Sequence, residues 1–288
     1  MYRYVPFDEI EKNKWNGTVH YSSNGNIFGY YWYLKAVYNQ WDAIVEDDYV
    51  SVLPILPRAH MDQYQLTPQL GPYSVNPLSK ARTADMISMM LEHTDNAFYP
   101  INLQSFHEPF HTPKDVIIKS QELHLIDSYE SIVDGYSSET NQVFDQIKKE
   151  EVTFTSSIKP EIIVEQLSLR EETKNAYLRI MYNAMHRGIG WSQGIVQKST
   201  GQYLALSFFV LSHNVIHEIL CLPTHSSSYK LLLYDISFKN GAGKPTLMVT
   251  YHDDEAASAL GFDTKSTRLI KINNSLLDPL KLRAGGKL

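Results

Sequence analysis

Residues 215–234 place a strand, a short polar loop and a helix in direct succession. The strand-like run ends at Leu222–Pro223, and an apolar helical face begins after the loop. This order brings backbone amides and a helix N-terminus to the end of one strand, where an anionic or thioester ligand can bind. The loop contains no glycine, so the segment predicts a ligand site that lacks a standard phosphate loop.

The length of the chain and the order of its predicted elements indicate two domains. The 288 residues exceed the roughly 150 residues of an average domain, and 43% of them are hydrophobic. The order of helices and strands restarts near residue 151, so we predict domains at 1–150 and 151–288. Each half is expected to hold a mixed, mostly antiparallel sheet flanked by helices, which is an α+β architecture.

Charge and cysteine content narrow the choice of partners and compartment. The net charge is −6 and lysines and arginines form no cluster, which argues against a DNA-binding protein. A single cysteine excludes an intrachain disulfide and fits a reducing compartment. Residues 1–15 lack the apolar segment of a signal peptide, and no run approaches the ~20 apolar residues of a membrane span. We therefore expect a cytoplasmic protein of undetermined oligomeric state.

Apolar periodicity and turn residues predict the elements of each half. In the first half we expect a hairpin that turns at Asp47–Asp48, and helices at 6–15, 28–38, 77–93 and 138–149. In the second half we expect a hairpin that turns at His213–Asn214, and helices at 160–169, 172–187 and 226–240. Further strands are expected at 96–104, 116–126, 151–157, 246–251 and 268–272.

Several segments carry a resemblance to a known fold. The second half contains EILCLP, then SSSYKLLLYDI, and later EAASALGFDTKSTRLIKI. Their order resembles the GNAT N-acyltransferase fold, in which the first two segments are the acyl-CoA strand and the helix after it. In the first half, YVSVLPILPR and TPQLGPYS resemble the N-terminal copy of proteins related to Fem-type aminoacyltransferases, which carry two tandem GNAT-like domains. Residues 127–155 resemble the junction helix of those proteins, so the resemblance covers most of the chain.

The resemblance implies an enzyme that transfers an acyl or aminoacyl group to a primary amine of a small molecule or peptide. The implied site lies in the second domain near the cleft between domains, with acetyl-CoA or another acyl-CoA as donor. Two positions depart from the family. The loop THSSSY replaces the usual glycines, and Ala257 stands where a tyrosine often serves as the acid for the thiolate. A non-catalytic ligand-binding protein with a degenerate GNAT fold is therefore the alternative.

Donor-binding residues are expected at the strand end and in the loop. Backbone amides at the strand end would hold the oxyanion, while serine hydroxyls and one ammonium would contact phosphate. The predicted cofactor-binding residues are Leu220, Cys221, Leu222, Ser226, Ser227, Ser228 and Lys230.

Acyl transfer to an amine needs a base for the amine proton, donors for the oxyanion and an acid for the leaving group. Side chains alternate along a strand, so Glu218 is expected to share a side with Leu220. His217 is expected on the opposite side, together with Cys221. Glu218 or His217 is therefore the predicted base, according to which side faces the ligand.

Tyr229 and Tyr234, which follow the loop, are the candidate acids. A lone glutamate or histidine on a strand is also commonly a surface group or a hydrogen-bonded core group, so a structural role for either base candidate stays open. A cysteine nucleophile needs a nearby base that lowers its pKa. Cys221 lies between two leucines and is interpreted as a small buried hydrophobe.

Two further segments match metal or phosphate motifs only in letters. Residues 107–111 spell HEPFH, but the zinc pattern needs both histidines on one helix face, and Pro109 breaks a helix. The segment NGAGKPT has Pro245 where a phosphate loop needs serine or threonine, and glycine then proline is a helix stop. We therefore expect no metal and no nucleotide loop.

A turn in the first half supplies the substrate-binding candidates. Gly71 and Pro72 form a turn within TPQLGPYS. This turn would present Gln69 and Tyr73 to a substrate, although an ordinary loop fits the same residues. Gln69 and Tyr73 are the predicted substrate-binding residues.

Overall fold

The structure is a computed structural model that describes residues 1–94, 116–223, 228–252 and 254–269. The chain divides into two compact units, one built from Met1–Ile118 with the residues from Thr267 onward, and one from Lys119–Ser266. Residues 119–150, which the sequence analysis assigned to the first domain, lie by their contacts in the second unit. The domain boundary at residue 150 stays a prediction.

The first unit contains a four-stranded antiparallel sheet with the order β1-β2-β3-β4. Its strands are β1 (Tyr2–Val5), β2 (Asp42–Glu46), β3 (Ser51–Ile55) and β4 (Tyr73–Ser74). Its helices are α1 (Lys12–Tyr21), α2 (Tyr31–Tyr38), α3 (Met61–Tyr64) and α4 (Lys80–Glu92). The predicted hairpin is confirmed, because Glu46 pairs with Ser51 across the Asp47–Asp48 turn.

The first helix lies further along the chain than predicted. Residues 7–9 form only a short 3₁₀ turn, and α1 continues past Trp15 to Tyr21. Trp15 and Val19 are four residues apart and both buried, so they mark the face of α1 that packs on the core. The helix prediction at 6–15 was therefore wrong in both bounds, because Pro6 and Asp8 open the 3₁₀ turn instead.

Two glycines of the first unit make a matched pair for testing the packing of its core. A Cβ atom on Gly29 would lie within 2.7 Å of the buried Tyr73 ring, whereas a Cβ atom on Gly17 in α1 meets nothing within 4 Å. We expect Gly29→Ala to lower the free energy of unfolding by about 1–3 kcal/mol through overpacking. Gly17→Ala is expected to raise it by about 0.5–1 kcal/mol. Urea denaturation of both variants measures this, and equal effects would contradict the packing.

The second unit contains a seven-stranded sheet with the order β11-β5-β10-β9-β8-β7-β6. Its strands are β5 (Val116–His124), β6 (Val152–Ser156), β7 (Gly190–Gln197), β8 (Tyr203–Ser212), β9 (Val215–Pro223), β10 (Leu247–Thr250) and β11 (Asp263–Leu269). Its helices are α5 (Tyr129–Asp134), α6 (Ser138–Ile147), α7 (Pro160–Glu165), α8 (Glu171–His186), α9 (Ser228–Gly241) and α10 (Glu255–Ala259). The pairing of β9 with β10 is parallel, and α9 makes the crossover between them.

The sequence predictions for the second unit largely agree with its elements. The hairpin of β8 and β9 turns at His213–Asn214, and both residues have the positive φ that such a tight turn needs. The α+β class with mostly antiparallel sheets is confirmed. The predicted strand at 96–104 lies outside the described residues. Across the described parts of the chain, no helix is long and apolar enough to cross a membrane.

Candidate functional site

In the described part of the chain, strands β9 and β10 pair over the first three residues of each. Val215, Ile216 and His217 pair with Leu247, Met248 and Val249. Strand β9 then continues over residues 218–223, and within the described chain its ladder partners there lie on β8 alone. One edge of β9 is therefore left open beside the end of β10, and its backbone groups can hydrogen-bond a ligand. We call residues 218–223 of β9 with this edge the β9–β10 opening.

A β-bulge lies at the start of the β9–β10 opening. Phe209 pairs with Glu218 and the preceding Phe208 pairs with Leu220, so Ile219 is an extra residue in β9. The extra residue shifts the alternation of side chains, and Cys221 packs in the core cluster into which Glu218 also points. The prediction that Cys221 shares a side with His217 was therefore wrong, because the bulge changes the register of the faces.

Buried charged groups meet beside the opening, and we call Glu218, Lys230, Tyr234, His252 and Asp254 the charged cluster. The Tyr234 hydroxyl donates to Glu218 and lies 3.0 Å from Asp254 Oδ2. The Lys230 ammonium pairs with Asp254, and its Nζ lies 3.9 Å from Glu218 Oε1. The side chains of Lys230, Glu218 and Asp254 are exposed by only 9%, 2% and 6%. Their charges therefore interact with little screening by water.

His252 is the exposed member of the charged cluster. Its Nε2 lies 3.1 Å from Asp254 Oδ2 and 3.6 Å from Glu218 Oε1, and 51% of its side chain is exposed. The same atom lies 3.3 Å from Lys230 Nζ. Nε2 therefore faces the two carboxylates and the ammonium. The cluster thus has an accessible imidazole beside buried acids.

Burial and pairing shift the pKa values of the cluster in different directions. Burial raises the pKa of Glu218, although Lys230 and His252 partly oppose this. Burial alone would also raise the pKa of Asp254, but hydrogen bonds from His252 and Lys230 hold that pKa below its usual range. Burial opposes the charge on Lys230, and the neighbouring carboxylates nevertheless raise its pKa. Glu218 is therefore the carboxylate with the higher proton affinity.

Asp254 is held by the first turn of α10 and by a residue of β5. Its Oδ1 accepts from the Ala256 amide at 2.8 Å and the Ala257 amide at 3.4 Å, so it is the N-cap of α10. Its own amide donates to Gln121 Oε1 on β5 at 2.7 Å. The sequence analysis missed Asp254 and His252, although an aspartate before EAASAL is a capping signal. Ala257 is fully buried in the core.

His217 is placed differently from Glu218. Its Nδ1 lies 2.6 Å from the hydroxyl of Tyr251, and the two rings stack with centroids 6.0 Å apart. Burial lowers the pKa of His217 to about 3, so the ring is neutral near pH 7. A ring with so low a pKa is a weak base, which favours Glu218 over His217 among the two predicted bases. That choice is a proposal.

The structure places the two predicted acids, Tyr229 and Tyr234, in different surroundings. Tyr234 lies in the charged cluster, where burial raises its pKa well above the usual value. The hydroxyl of Tyr229 instead donates to Glu150, and this hydrogen bond raises its pKa to about 12. The structure therefore brings Glu218 and Tyr234 together and places Tyr229 and His217 outside that cluster. Their catalytic roles stay predictions.

The predicted donor-binding residues lie along β9 and at the start of α9. Leu220 and Cys221 are buried, Leu222 is half-buried, and Ser228 is the first residue of α9. Burial raises the pKa of the Cys221 thiol well above its usual value, as expected for a small core residue. Lys230 is paired inside the charged cluster, so its ammonium is already bound to carboxylates. Ser226 and Ser227 lie outside the described residues.

The predicted substrate-binding residues belong to the first unit. Tyr73 is buried, and its hydroxyl donates to Asn26 Oδ1 at 3.2 Å. Gln69 is half-buried. The buried hydroxyl of Tyr73 thus has a hydrogen-bond partner within the unit. The substrate role of both residues stays a prediction.

Three residues of the charged cluster are close enough together to act as ligands of a metal ion. Ligand atoms of Glu218, His252 and Asp254 lie within 4.8 Å of one another. A metal ion there would displace the Lys230 ammonium, which already pairs with Asp254. The HEPFH motif at 107–111 lies outside the described residues.

Comparison with known proteins identifies the fold. No family model and no curated protein sequence matches the chain. Solved structures do match: FemX has a TM-score of 0.63 at 9% identity, covering 95% of this chain and 98% of that chain. The chain has a GNAT-type fold. A conserved protein of unknown function from Bacteroides thetaiotaomicron has a TM-score of 0.58 at 10% identity, covering 92% of this chain and 100% of that chain.

A third match concerns the tandem arrangement. A tandem GNAT protein from the clavulanic acid biosynthesis pathway has a TM-score of 0.50 at 13% identity, covering 93% of this chain and 97% of that chain. The predicted resemblance to GNAT-type and Fem-type proteins is therefore confirmed for the fold. Identities this low establish the fold and leave the chemistry to the residues of the site.

Proposed function

We propose that this protein transfers an acyl group from an activated donor to a primary amine, at the β9–β10 opening of the second unit. The observation that carries the proposal is an open strand edge beside a buried acid cluster with one accessible imidazole. The donor is an acyl-CoA, such as acetyl-CoA, or an aminoacyl donor. The acceptor is a small molecule or a peptide with a free amine.

The open edge of β9 suits an extended donor. Backbone amides and carbonyls of residues 218–223 can pair with the amide groups of a pantetheine-like arm, as a strand edge pairs with a peptide. Backbone amides next to the bulge at Ile219 are the proposed donors to the oxyanion that forms on the thioester carbonyl. Helix α9 follows this strand, and its N-terminus is the proposed contact for a phosphate.

The charged cluster supplies the base. His252 Nδ1 accepts a proton from the acceptor ammonium, while Asp254 and Glu218 stabilise the imidazolium through Nε2. The freed amine attacks the carbonyl carbon, the new C–N bond forms, and the bond from that carbon to the donor's sulfur or oxygen breaks. The leaving group then takes a proton from the attacking nitrogen. Glu218 lies on the Nε2 side of the ring, so in this proposal His252 is the base and Glu218 stabilises the imidazolium.

A non-catalytic binding protein is the second candidate. Two observations favour it: Lys230 is fully engaged by Asp254, and the position where the family resemblance expects an acidic tyrosine is the buried Ala257. In that case the β9–β10 opening would still bind an activated acyl compound. Binding without turnover therefore separates this candidate from the transferase.

Donor binding is expected to stabilise the protein and to slow amide exchange on β9. A ligand at 100 times its Kd stabilises by about 2.7 kcal/mol, which raises the melting temperature by several degrees. A panel of acyl-CoA and aminoacyl donors should include one with this effect. Hydrogen exchange with that donor should slow at residues 218–222 at least tenfold, with β3 of the first unit as the internal control. If no donor in the panel shifts melting, or if protection appears elsewhere, the proposed site is wrong.

A further inference from the structure

A cavity of about 440 Å³ lies in the first unit, whereas the β9–β10 opening belongs to the second. Its walls come from four segments of the first unit: Pro6–Asp8 after β1, Gln40–Asp42 at the start of β2, Ile55–Arg58 at the end of β3, and His93–Thr94 after α4. The volume falls within the range of about 300–1,000 Å³ that small-molecule sites occupy. The proposed acyl transfer uses none of these residues.

One wall of the cavity is aromatic and rigid. Phe7 and Trp41 both line it, with ring centroids 6.2 Å apart in an edge arrangement. Trp41 is only 2% exposed and packs on Trp15 with centroids 4.5 Å apart. Within the described chain, the indole Nε1 of Trp41 is buried without a hydrogen-bond partner. Trp41 therefore offers a ligand in the cavity its ring surface rather than its N–H group.

Charged groups of both signs surround the aromatic wall. Asp42 is fixed in place, because its Oδ1 accepts from the Phe7 amide at 3.0 Å and its Oδ2 from the Tyr4 hydroxyl at 2.6 Å. Asp8 and Arg58 also line the cavity and are exposed. No residue that the structure describes forms an ion pair with either of them. Two carboxylates and one guanidinium therefore face a space with an apolar floor.

We propose that this cavity binds a free amino acid with an apolar or aromatic side chain, held as a zwitterion. Its ammonium pairs with Asp8 and Asp42, and its carboxylate pairs with Arg58. Its side chain packs against Phe7 and Trp41. Because the cavity holds two carboxylates and one guanidinium, the ammonium of the amino acid is expected to contribute more to binding than its carboxylate. This proposal does not depend on acyl transfer in the second unit.

Titration with L-phenylalanine and L-leucine tests the proposal, with calorimetry and tryptophan fluorescence as readouts on the full chain. We expect saturable binding of at least one of them with a Kd below 10 mM. The N-acetyl and carboxamide derivatives of that amino acid should bind at least tenfold more weakly, because each removes one charge. Binding by neither amino acid, or equal binding of the blocked forms, would overturn the proposal.

Three variants locate the binding site. Arg58→Gln removes an exposed cation, and Trp41→Phe replaces the indole of the aromatic wall with a smaller ring. Each should weaken binding at least fivefold, and Arg3→Gln, an exposed arginine of the same unit outside the cavity lining, should leave it unchanged. If Trp41→Phe alters the melting temperature, the test of the site depends on Arg58→Gln alone. Unchanged affinity in Arg58→Gln then refutes the site. Donor binding at the β9–β10 opening is expected to persist in all three variants.

Discussion

Lys230→Met is expected to destabilise the second unit by about 3–5 kcal/mol, the largest stability loss of any single substitution considered for this chain. The ammonium of Lys230 is 9% exposed and balances the buried carboxylates of Glu218 and Asp254. Methionine has a similar shape and no charge, so the variant leaves those carboxylates buried and uncompensated. Urea denaturation followed by circular dichroism measures the effect, and the second unit is expected to unfold at a lower urea concentration.

The matched control is Lys148→Met. Lys148 pairs with Asp145 in the same unit, but both side chains are well exposed at 74% and 65%. A surface pair of this kind contributes about 0–1 kcal/mol, so the control should be nearly silent. Equal losses in the two variants would show that Lys230 does not balance buried charge.

The pH dependence of the Lys230→Met variant follows from the same groups. In the natural protein, hydrogen bonds from His252 and Lys230 overcome burial and keep the pKa of Asp254 low, so this group contributes stability above its unfolded pKa and loses it in acid. Without the ammonium, burial raises the pKa values of both carboxylates. The folded variant then binds more protons than the unfolded chain, so its free energy of unfolding should rise as the pH falls from 7 towards 5. A rise with increasing pH would contradict this account.

His252→Ala is expected to lower kcat/KM by a factor of about 10²–10⁴, the usual contribution of a positioned base, once a donor and an acceptor are known. Because the variant also removes the contact of His252 with the buried Asp254, its melting temperature should fall, and rates are compared at a temperature where both proteins are folded. His186→Ala, at the exposed end of α8, is the control and should keep full activity.

Two further measurements decide whether His252 acts as a base. The pH profile of the rate should differ between the natural protein and His252→Ala, because only the natural protein holds the proposed base. Glu218→Gln preserves the size of the side chain and should lower kcat without raising KM for the donor. A His252→Ala variant with the full rate and an unaltered pH profile would remove the histidine from the mechanism.

Local signals in the sequence were sufficient for the fold class and for several elements. Asp47–Asp48 and His213–Asn214 are turn residues between alternating apolar runs, and NGAGKP is a helix stop, so these boundaries are encoded within a few residues. The GNAT-type fold could be predicted for the same reason, because the order of its helices and strands along the chain can be read from such local signals. Helix α1 was misplaced because its buried face extends beyond the residues that open the turn before it.

The candidate site was only partly accessible from the sequence. Alternation along β9 identifies Glu218, but it gives no sign of the extra residue Ile219, because a bulge is defined only against a partner strand. His252 and Asp254 join Glu218 and Lys230 from segments more than twenty residues away, and only the parallel pairing of β9 with β10 brings them together. The position of β5 inside the second sheet was equally hidden, because strand order is a property of the folded chain.

The position of β5 between β11 and β10 has a consequence for synthesis. Its residue His124 pairs with Leu247, which is 247 − 124 = 123 residues later. A ribosome adds roughly 5–20 residues per second, so about 6–25 s pass before the partner strand exists. Throughout that interval a nascent segment with unfilled backbone groups is available to chaperones and to neighbouring nascent chains. Production yield should therefore respond to translation speed and chaperone supply more strongly than the equilibrium stability of the finished protein suggests.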